Sequence, residues 1–415
     1  MIKKLKNCRL CFSKNLVKVI NLKKSPLANN LKNQIKLSIN QKKYPLSALF
    51  CKNCFHLQLS HVVKAKILFN KYFYLTGTSS ATHSHFEKYY KAIKKRLNTN
   101  QKKILEIASN DGTFLKKFDN AFKKFGIDPA KNLKSFYKNQ NIKFFNNFFN
   151  NQVSNKIKKK YGSFDVITAN NVCAHVDKFH NFISGIKNIL SQEGFFVFEV
   201  SYLKEVLKKK TFDTIYHEHL DYHSLTPLKR FFEKFELKIF DVEFIKVQGG
   251  SIRVYVCHQK SSRNINIKIK KNIKKEKNLG MHKISTYLNF QKKIISIGEK
   301  LNLLLEEIKK KKLTIYGFGA AAKATTFLNF YKINQKTISK VVDGNNLKQG
   351  NYIPGTSIKI YNPKIIYKDK PNFILILSWN FAHHIINSYK KYKNIGKFIL
   401  SFPYPKVLKS RPCNL

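Results

Sequence analysis

Residues 103–118, "KILEIASNDGTFLKKF", decide how the chain is read. "KILEI" is a short apolar run of the kind buried in a parallel sheet, and "ASNDG" is a tight polar turn. The apolar residues that follow recur at helical spacing, so the stretch predicts strand, turn and helix. A second strand, in "FGIDPA" at 125–130, ends on Asp128, roughly twenty residues beyond Glu106. An acid at that tip of a βαβ unit can hold both hydroxyls of a ribose, which suits an adenosine-containing cofactor. The turn has a single glycine, Gly112, and so lacks the three-glycine dinucleotide fingerprint. A pyrophosphate needs close backbone approach at a helix N-terminus, whereas S-adenosylmethionine has no phosphate and tolerates a looser turn, with Asn110 and Asp111 near its amino-acid end. An unliganded βαβ turn is the bland alternative.

Outward from this unit, "SFDVITANNVCAHVDK" (163–178) and "EGFFVFEVSYL" (193–203) read as further strands with polar tips. Ligands in open α/β sheets gather beyond the carboxyl ends of the strands. The candidate cofactor residues are therefore Glu106, Ala108, Asn110, Asp111, Gly112, Asp128, Asn170 and Asn171. "PLKRFFEKF" reads as a helix and "LKIFDVEFIKVQGGSIRVYVCHQ" as two strands around a Gly-Gly turn. The fold class is α/β: a parallel sheet closed by an antiparallel pair, the methyltransferase variant of the doubly wound sheet.

Seventy-nine Lys+Arg against 23 Asp+Glu leave a net charge of +56 in 415 residues. The lysines are spread over nearly every segment and accompany an excess of Asn, Ile, Phe and Tyr, residues whose codons are rich in A and T. Nucleotide composition accounts for the whole set and nucleic-acid binding only for the lysines, although the charge does favour anionic small molecules. No window reaches the length of a membrane span and the start lacks an apolar signal core, so a cytoplasmic location is expected. At about 150 residues per domain the length implies two or three.

Four of the seven cysteines, Cys8, Cys11, Cys51 and Cys54, form two C-x2-C pairs. Each pair presents two thiolates from one turn, and together they complete the tetrahedral sulfur set that zinc prefers. With no open position the metal is structural. The segment 275–312 reads as a connecting helix with a solvated lysine face. "KLTIYGFGAAAKATTFLNF" (312–330) then repeats the strand–turn–helix pattern, and Gly317, Gly319 and Lys323 are candidates for pyrophosphate contact or for packing. A second dinucleotide enzyme domain is the rival reading, without a dehydrogenase acid/base set to support it.

"TIYHEHLDYHSL" (214–225) is the densest polar stretch. A strand would turn Glu218 away from His217 and His219, which argues against a local three-ligand metal site. Proton transfer fits better: a neutral histidine can accept a proton near pH 7, a carboxylate can fix its tautomer, and tyrosine hydroxyls can donate to a developing oxyanion. His219 is then the base, Glu218 supports it or the substrate, and Tyr216 contacts the oxyanion. A polar loop that merely binds hydroxyls is the alternative. His83 and His85 in "THSHF" read as structural helix residues.

In their order and joint presence, the paired cysteines, "SPLANNL", "YPLSALFCKNCFHLQLSHVV", "KYFYLTGTSSATHSHF", "LEIASNDGTFL", "NNVCAHV", "YHEHLDYHSL", "QGGSIRVYV" and "YGFGAAAKATTFLN" resemble the three-domain nucleotide-sugar C-methyltransferases. The resemblance implies a zinc-binding domain (1–70), an S-adenosylmethionine domain (71–260) and a C-terminal Rossmann-like, nucleotide-sugar-binding domain (261–415). It implies as substrate a dTDP-linked 4-keto sugar methylated at C3. It places the catalytic tyrosine, glutamate and histidine on Tyr216, Glu218 and His219, with His175 and an N-terminal tyrosine, Tyr74 in preference to Tyr72, lining the site. A monomer is expected. Methylation of oxygen or nitrogen, or a basic zinc-knuckle protein that binds nucleic acid, are the alternatives.

Overall fold

The computed structural model describes residues 2–68, 76–78, 80–98, 100–138 and 140–408. Its centre is a seven-stranded sheet in the order 237–245, 251–258, 190–201, 164–170, 103–107, 123–127, 142–145. The last five strands are parallel, and Ser251–His258 and Leu237–Ile245 close one edge antiparallel. Phe164–Asn170 is buried along nearly its whole length, as expected of a strand covered on both faces. The helix Phe179–Ile189 covers one face, burying Phe179, Phe182, Ile183, Ile186 and Ile189 at intervals of three and four. The chain runs 103, 123, 142 in one direction and then returns to 164. The order therefore reverses between Lys103–Ile107 and Phe164–Asn170, the topological switch point where such sheets bind ligands.

The expected helix after the first turn is not a full one. Only a 3-10 turn, Leu115–Lys117, forms, and Phe118 is already extended. Asp119 stops it, because its side chain accepts from the Ala121 N–H and so offers the backbone an alternative to helical pairing.

A second, six-stranded sheet in the order 360–361, 340–342, 315–318, 373–376, 397–400, 406–407 is parallel except at its last strand. The connecting region is two helices, Ile267–Asn278 and Ile284–Lys310, separated at Gly280, whose φ of 69° no helix accommodates. The longer helix buries Tyr287, Phe290, Ile294, Ile297, Leu301, Leu305 and Ile308 as one stripe. That stripe joins the N-terminal sheet to the C-terminal half in a single apolar core. No helix among the described residues is long and apolar enough to cross a membrane.

The N-terminal region is an antiparallel sheet in the order 221–222, 57–59, 44–51, 16–25. Its outermost strand, Asp221–Tyr222, comes from "TIYHEHLDYHSL".

Candidate active site

The four cysteine sulfurs come together at the end of this sheet, all within 4.8 Å of one another, with Cys8–Cys54 and Cys11–Cys51 at 3.5 Å. Zinc–sulfur bonds of about 2.3 Å impose sulfur–sulfur edges of about 3.8 Å on a tetrahedron, so the set fits a zinc ion closed to further ligands. Among the described residues no other group of three or more metal-ligating side chains converges.

The cofactor turn gathers at the switch point. Ala108 and Asn110 hold φ of 55° and 50°, and Asn171, at the neighbouring strand tip, 55°. Three non-glycine residues in the left-handed region at one sheet edge mark a backbone bent for a purpose beyond packing. Gly112, at φ 74°, lies where a Cβ would meet the Tyr137 ring at 3.1 Å. The Tyr137 hydroxyl donates to Ser109 Oγ and the Asn110 carbonyl and braces the turn from beneath. Asp128 accepts from the Asn110 and Ala130 N–H groups, and burial raises its carboxyl above the usual range. Glu106 is buried, which pushes its carboxyl well up. Its Oε1 accepts from Asn170 across the switch point at 3.4 Å, while Glu106 Oε2 and Asn170 Oδ1 have no partner among the described residues. Buried polar atoms left open at this edge fit the polar groups of S-adenosylmethionine. Asp111 takes the Gly77 and Thr113 N–H groups and lines an open cleft of about 450 Å³ with Gly77, His83, Thr113, Lys116, Lys117 and Phe136.

The expected strand at 216–220 is a turn. It splits the histidines: His217 is buried against the Tyr44 carbonyl, and His219 faces a cavity of about 20 Å³ shared with Asn171, His175, Ser201 and Thr214. His175 stacks edge-on to His219 at 4.9 Å. The Nδ1 of His219 lies 2.8 Å from the Thr214 carbonyl, which can only accept, so Nδ1 carries the proton. Nε2 then accepts from the Tyr216 hydroxyl, also at 2.8 Å. Burial first, and then the neighbouring His175, hold His219 well below its ordinary range, so the imidazole is neutral. The tautomer is thus fixed by the Thr214 backbone carbonyl, whereas Glu218, expected to support His219 or the substrate, has Asn29 as its partner. Glu218 accepts from Asn29 at 2.7 Å, and burial raises it to about 7. Tyr72 and Tyr74 lie outside the described residues. His85, expected to be structural, pairs with buried Glu199 at 2.7 Å, and His83 bonds the Gly77 carbonyl.

Sequence reasoning missed Thr214, Asn29 and the surroundings of Asp221. A carbonyl has no side-chain signature, and Asn29 lies 189 positions from its partner. Asp221 takes both oxygens' bonds from Arg9 Nε and one from His56 Nε2. Burial alone would raise its carboxyl, but the Arg9 charge and the His56 bond more than offset this and hold it well below the usual range.

In the C-terminal half, Gly317 sits inside a strand where a Cβ would meet Val341 and Leu377, a packing position. Lys323 is buried over the Trp379 ring at 4.6 Å, with its Nζ 3.4 Å from Gln248 Oε1. Burial lowers it to about 8, and nearby Asp213 partly offsets the fall.

Residues 8–69 match a zinc binding domain family, 82–242 a methyltransferase domain family and 246–403 the C-methyltransferase C-terminal domain family. The chain is 28% identical over 411 residues to the C-methyltransferase NovU of Streptomyces niveus, covering 98% of each protein. Among solved structures, the PH0226 protein of Pyrococcus horikoshii superposes with a TM-score of 0.36 at 14% identity, over 47% of this chain and 100% of that one. An S-adenosylmethionine-dependent methyltransferase of Clostridium acetobutylicum superposes with a TM-score of 0.34 at 14% identity, over 44% and 93%.

Proposed function

We propose that this chain, which belongs to the S-adenosylmethionine-dependent C-methyltransferases built from these three domains, transfers a methyl group to a carbon of a nucleotide-linked 4-keto deoxysugar. The substrate we favour is dTDP-linked and methylated at C3 through an enolate. The observation that carries this reading is the Tyr216–His219 pair, a neutral imidazole locked in one tautomer beside the cofactor edge of the sheet. A carbon nucleophile next to a ketone must first lose a proton, and such a pair is built to take one.

Bound at the switch point, S-adenosylmethionine supplies an electrophilic methyl group. Asp128 holds the ribose, and Glu106 and Asn170 contribute their open oxygens to the pocket. Because Nε2 already faces the Tyr216 hydroxyl, the carbon's proton passes to the phenolic oxygen as the phenolic proton moves to Nε2. The Thr214 carbonyl, accepting from Nδ1–H, steadies the imidazolium that results. The electron pair left on the sugar carbon is the nucleophile to which a bound S-adenosylmethionine, held by Asp128, Glu106 and Asn170, would supply its methyl group, and the proton leaves His219 for solvent. Glu218, poised near neutrality, and His175 orient sugar hydroxyls.

The C-terminal domain, from about 261, carries the nucleotide, and the protein works as a cytoplasmic monomer with no nucleic-acid partner. Offering the purified protein S-adenosylmethionine with dTDP, CDP and GDP keto sugars should produce a methyl mass increment on one of them. In deuterated solvent the acceptor carbon should exchange its proton, and an H219A protein that exchanges as fast as wild type would overturn the assignment.

A further inference from the structure

The zinc knuckle and the catalytic turn are separate in sequence and continuous in space. Arg9 stands inside the C-R-L-C turn and His56 two positions after Cys54. Both side chains converge on the carboxylate of Asp221, which is wholly buried: Arg9 Nε at 2.9 and 3.1 Å, and His56 Nε2 at 2.9 Å. Arg9 also donates to the Val176 carbonyl at 2.5 Å and to Asp177 at 3.3 Å, next to His175. Asp221 is two residues from His219. Between them, Leu220 donates to the Ala174 carbonyl at 2.7 Å and accepts from the Leu59 N–H at 2.9 Å. Asp221–Tyr222 then pairs with Leu57–Gln58 as the edge strand of the zinc-bearing sheet. One guanidinium thus holds the Val176 carbonyl beside His175 and the Asp221 carboxylate beside His219.

We propose that Arg9, His56 and Asp221 are positioning residues through which the zinc knuckle sets the placement of Tyr216 and His219, so that the metal governs the proton-transfer step and leaves cofactor binding untouched. This rests on the reading of Tyr216 and His219 as the proton-transfer pair, but the clamp itself can be measured without a substrate. Zinc would close the C-R-L-C turn, the turn fixes the Arg9 backbone, and the Arg9 Nε–H, shared between both carboxylate oxygens, fixes Asp221. The cofactor turn at 108–112 is braced separately by Tyr137 and Asp128.

The test has two arms on the full chain. In the first, zinc is chelated from the wild-type protein and amide exchange is followed by mass spectrometry. Segment 214–223 should lose protection while the strands 103–107 and 315–318 keep theirs. Unchanged protection at 214–223, or an equal loss across all three segments, overturns the proposal. In the second, D221N is compared with wild type at equal zinc content. Turnover should fall 10–100-fold, the range typical of outer-shell partners, with the dissociation constant for S-adenosylmethionine within about twofold. R9K, which keeps the charge but loses the fork, should fall between them. Wild-type turnover in D221N, or a parallel loss of cofactor affinity, overturns it. If no sugar is turned over, the proposed substrate has failed, and the exchange arm still decides the clamp.

Discussion

The two Rossmann-like halves build the same corner twice. In each, the first strand ends in a turn with a left-handed glycine, Gly112 at φ 74° and Gly319 at φ 99°. In each, an acid at the tip of the second strand accepts from a turn N–H: Asp128 from Asn110 at 3.1 Å, and Asp343 from Ala320 at 2.7 Å. Their surroundings diverge. Beside the central turn, Glu106 Oε2 and Asn170 Oδ1 are buried and, among the described residues, open. At the C-terminal turn, Lys348 reaches the Ala320 carbonyl at 3.0 Å and Asp343 at 3.7 Å, and Ser378 packs against Gly319. The frame is generic, and binding depends on which polar atoms the protein leaves unanswered.

Acid should separate the halves most strongly. Burial depresses His217 and His223 from 6.5 to about 4, whereas His383 and His384 in the C-terminal half are exposed. A depressed histidine stabilises the fold fully above pH 6.5, and that stability is lost as pH falls toward 4, because the unfolded chain takes the proton first. The loss is about 3 kcal/mol for each. Amide exchange between pH 6.5 and 4 should show the central strands opening before 315–318 and 373–376, and simultaneous opening would break the contrast.

Next in size is G319A, whose Cβ would lie 1.9 Å from Ser378 Oγ at φ 99°. It should lower the unfolding free energy by about 2–4 kcal/mol, against about 1–2 kcal/mol for G112A, where the Tyr137 ring at 3.1 Å can yield. Denaturant titration of the two variants gives the ranking. D128A should weaken S-adenosylmethionine binding about 100-fold, or roughly 2.7 kcal/mol, by calorimetry, while D343A leaves it within twofold. Equal losses would mean that the two corners share the cofactor's binding. The smallest effect belongs to K348Q, which frees Asp343 at a cost under about 1 kcal/mol and should leave cofactor affinity unchanged.

What the chain discloses in one dimension is what repeats locally. The strand "KILEI", the acid in "FGIDPA" and the two cysteine pairs were all legible, because spacing within about twenty residues carries them. The helix after Gly112 was not, since Asp119 competes for the backbone at a point where apolar periodicity still looks helical. The shape of 216–220 was hidden as well. Alternation of polar residues suggested a strand, but the turn is set by partners such as Thr214, Ala174 and Tyr44, the last two contributed by other segments. Arg9 and Asp221 are 212 positions apart, and a two-residue strand offers no period to read.

That two-residue strand also bears on synthesis. The ribosome releases Leu57–Leu59 long before Asp221–Tyr222, so the nascent N-terminal sheet waits with one flank of backbone groups unanswered, a template for pairing with a neighbouring chain. Early metal capture by the four thiolates would hold that half-finished module together until its last strand emerges.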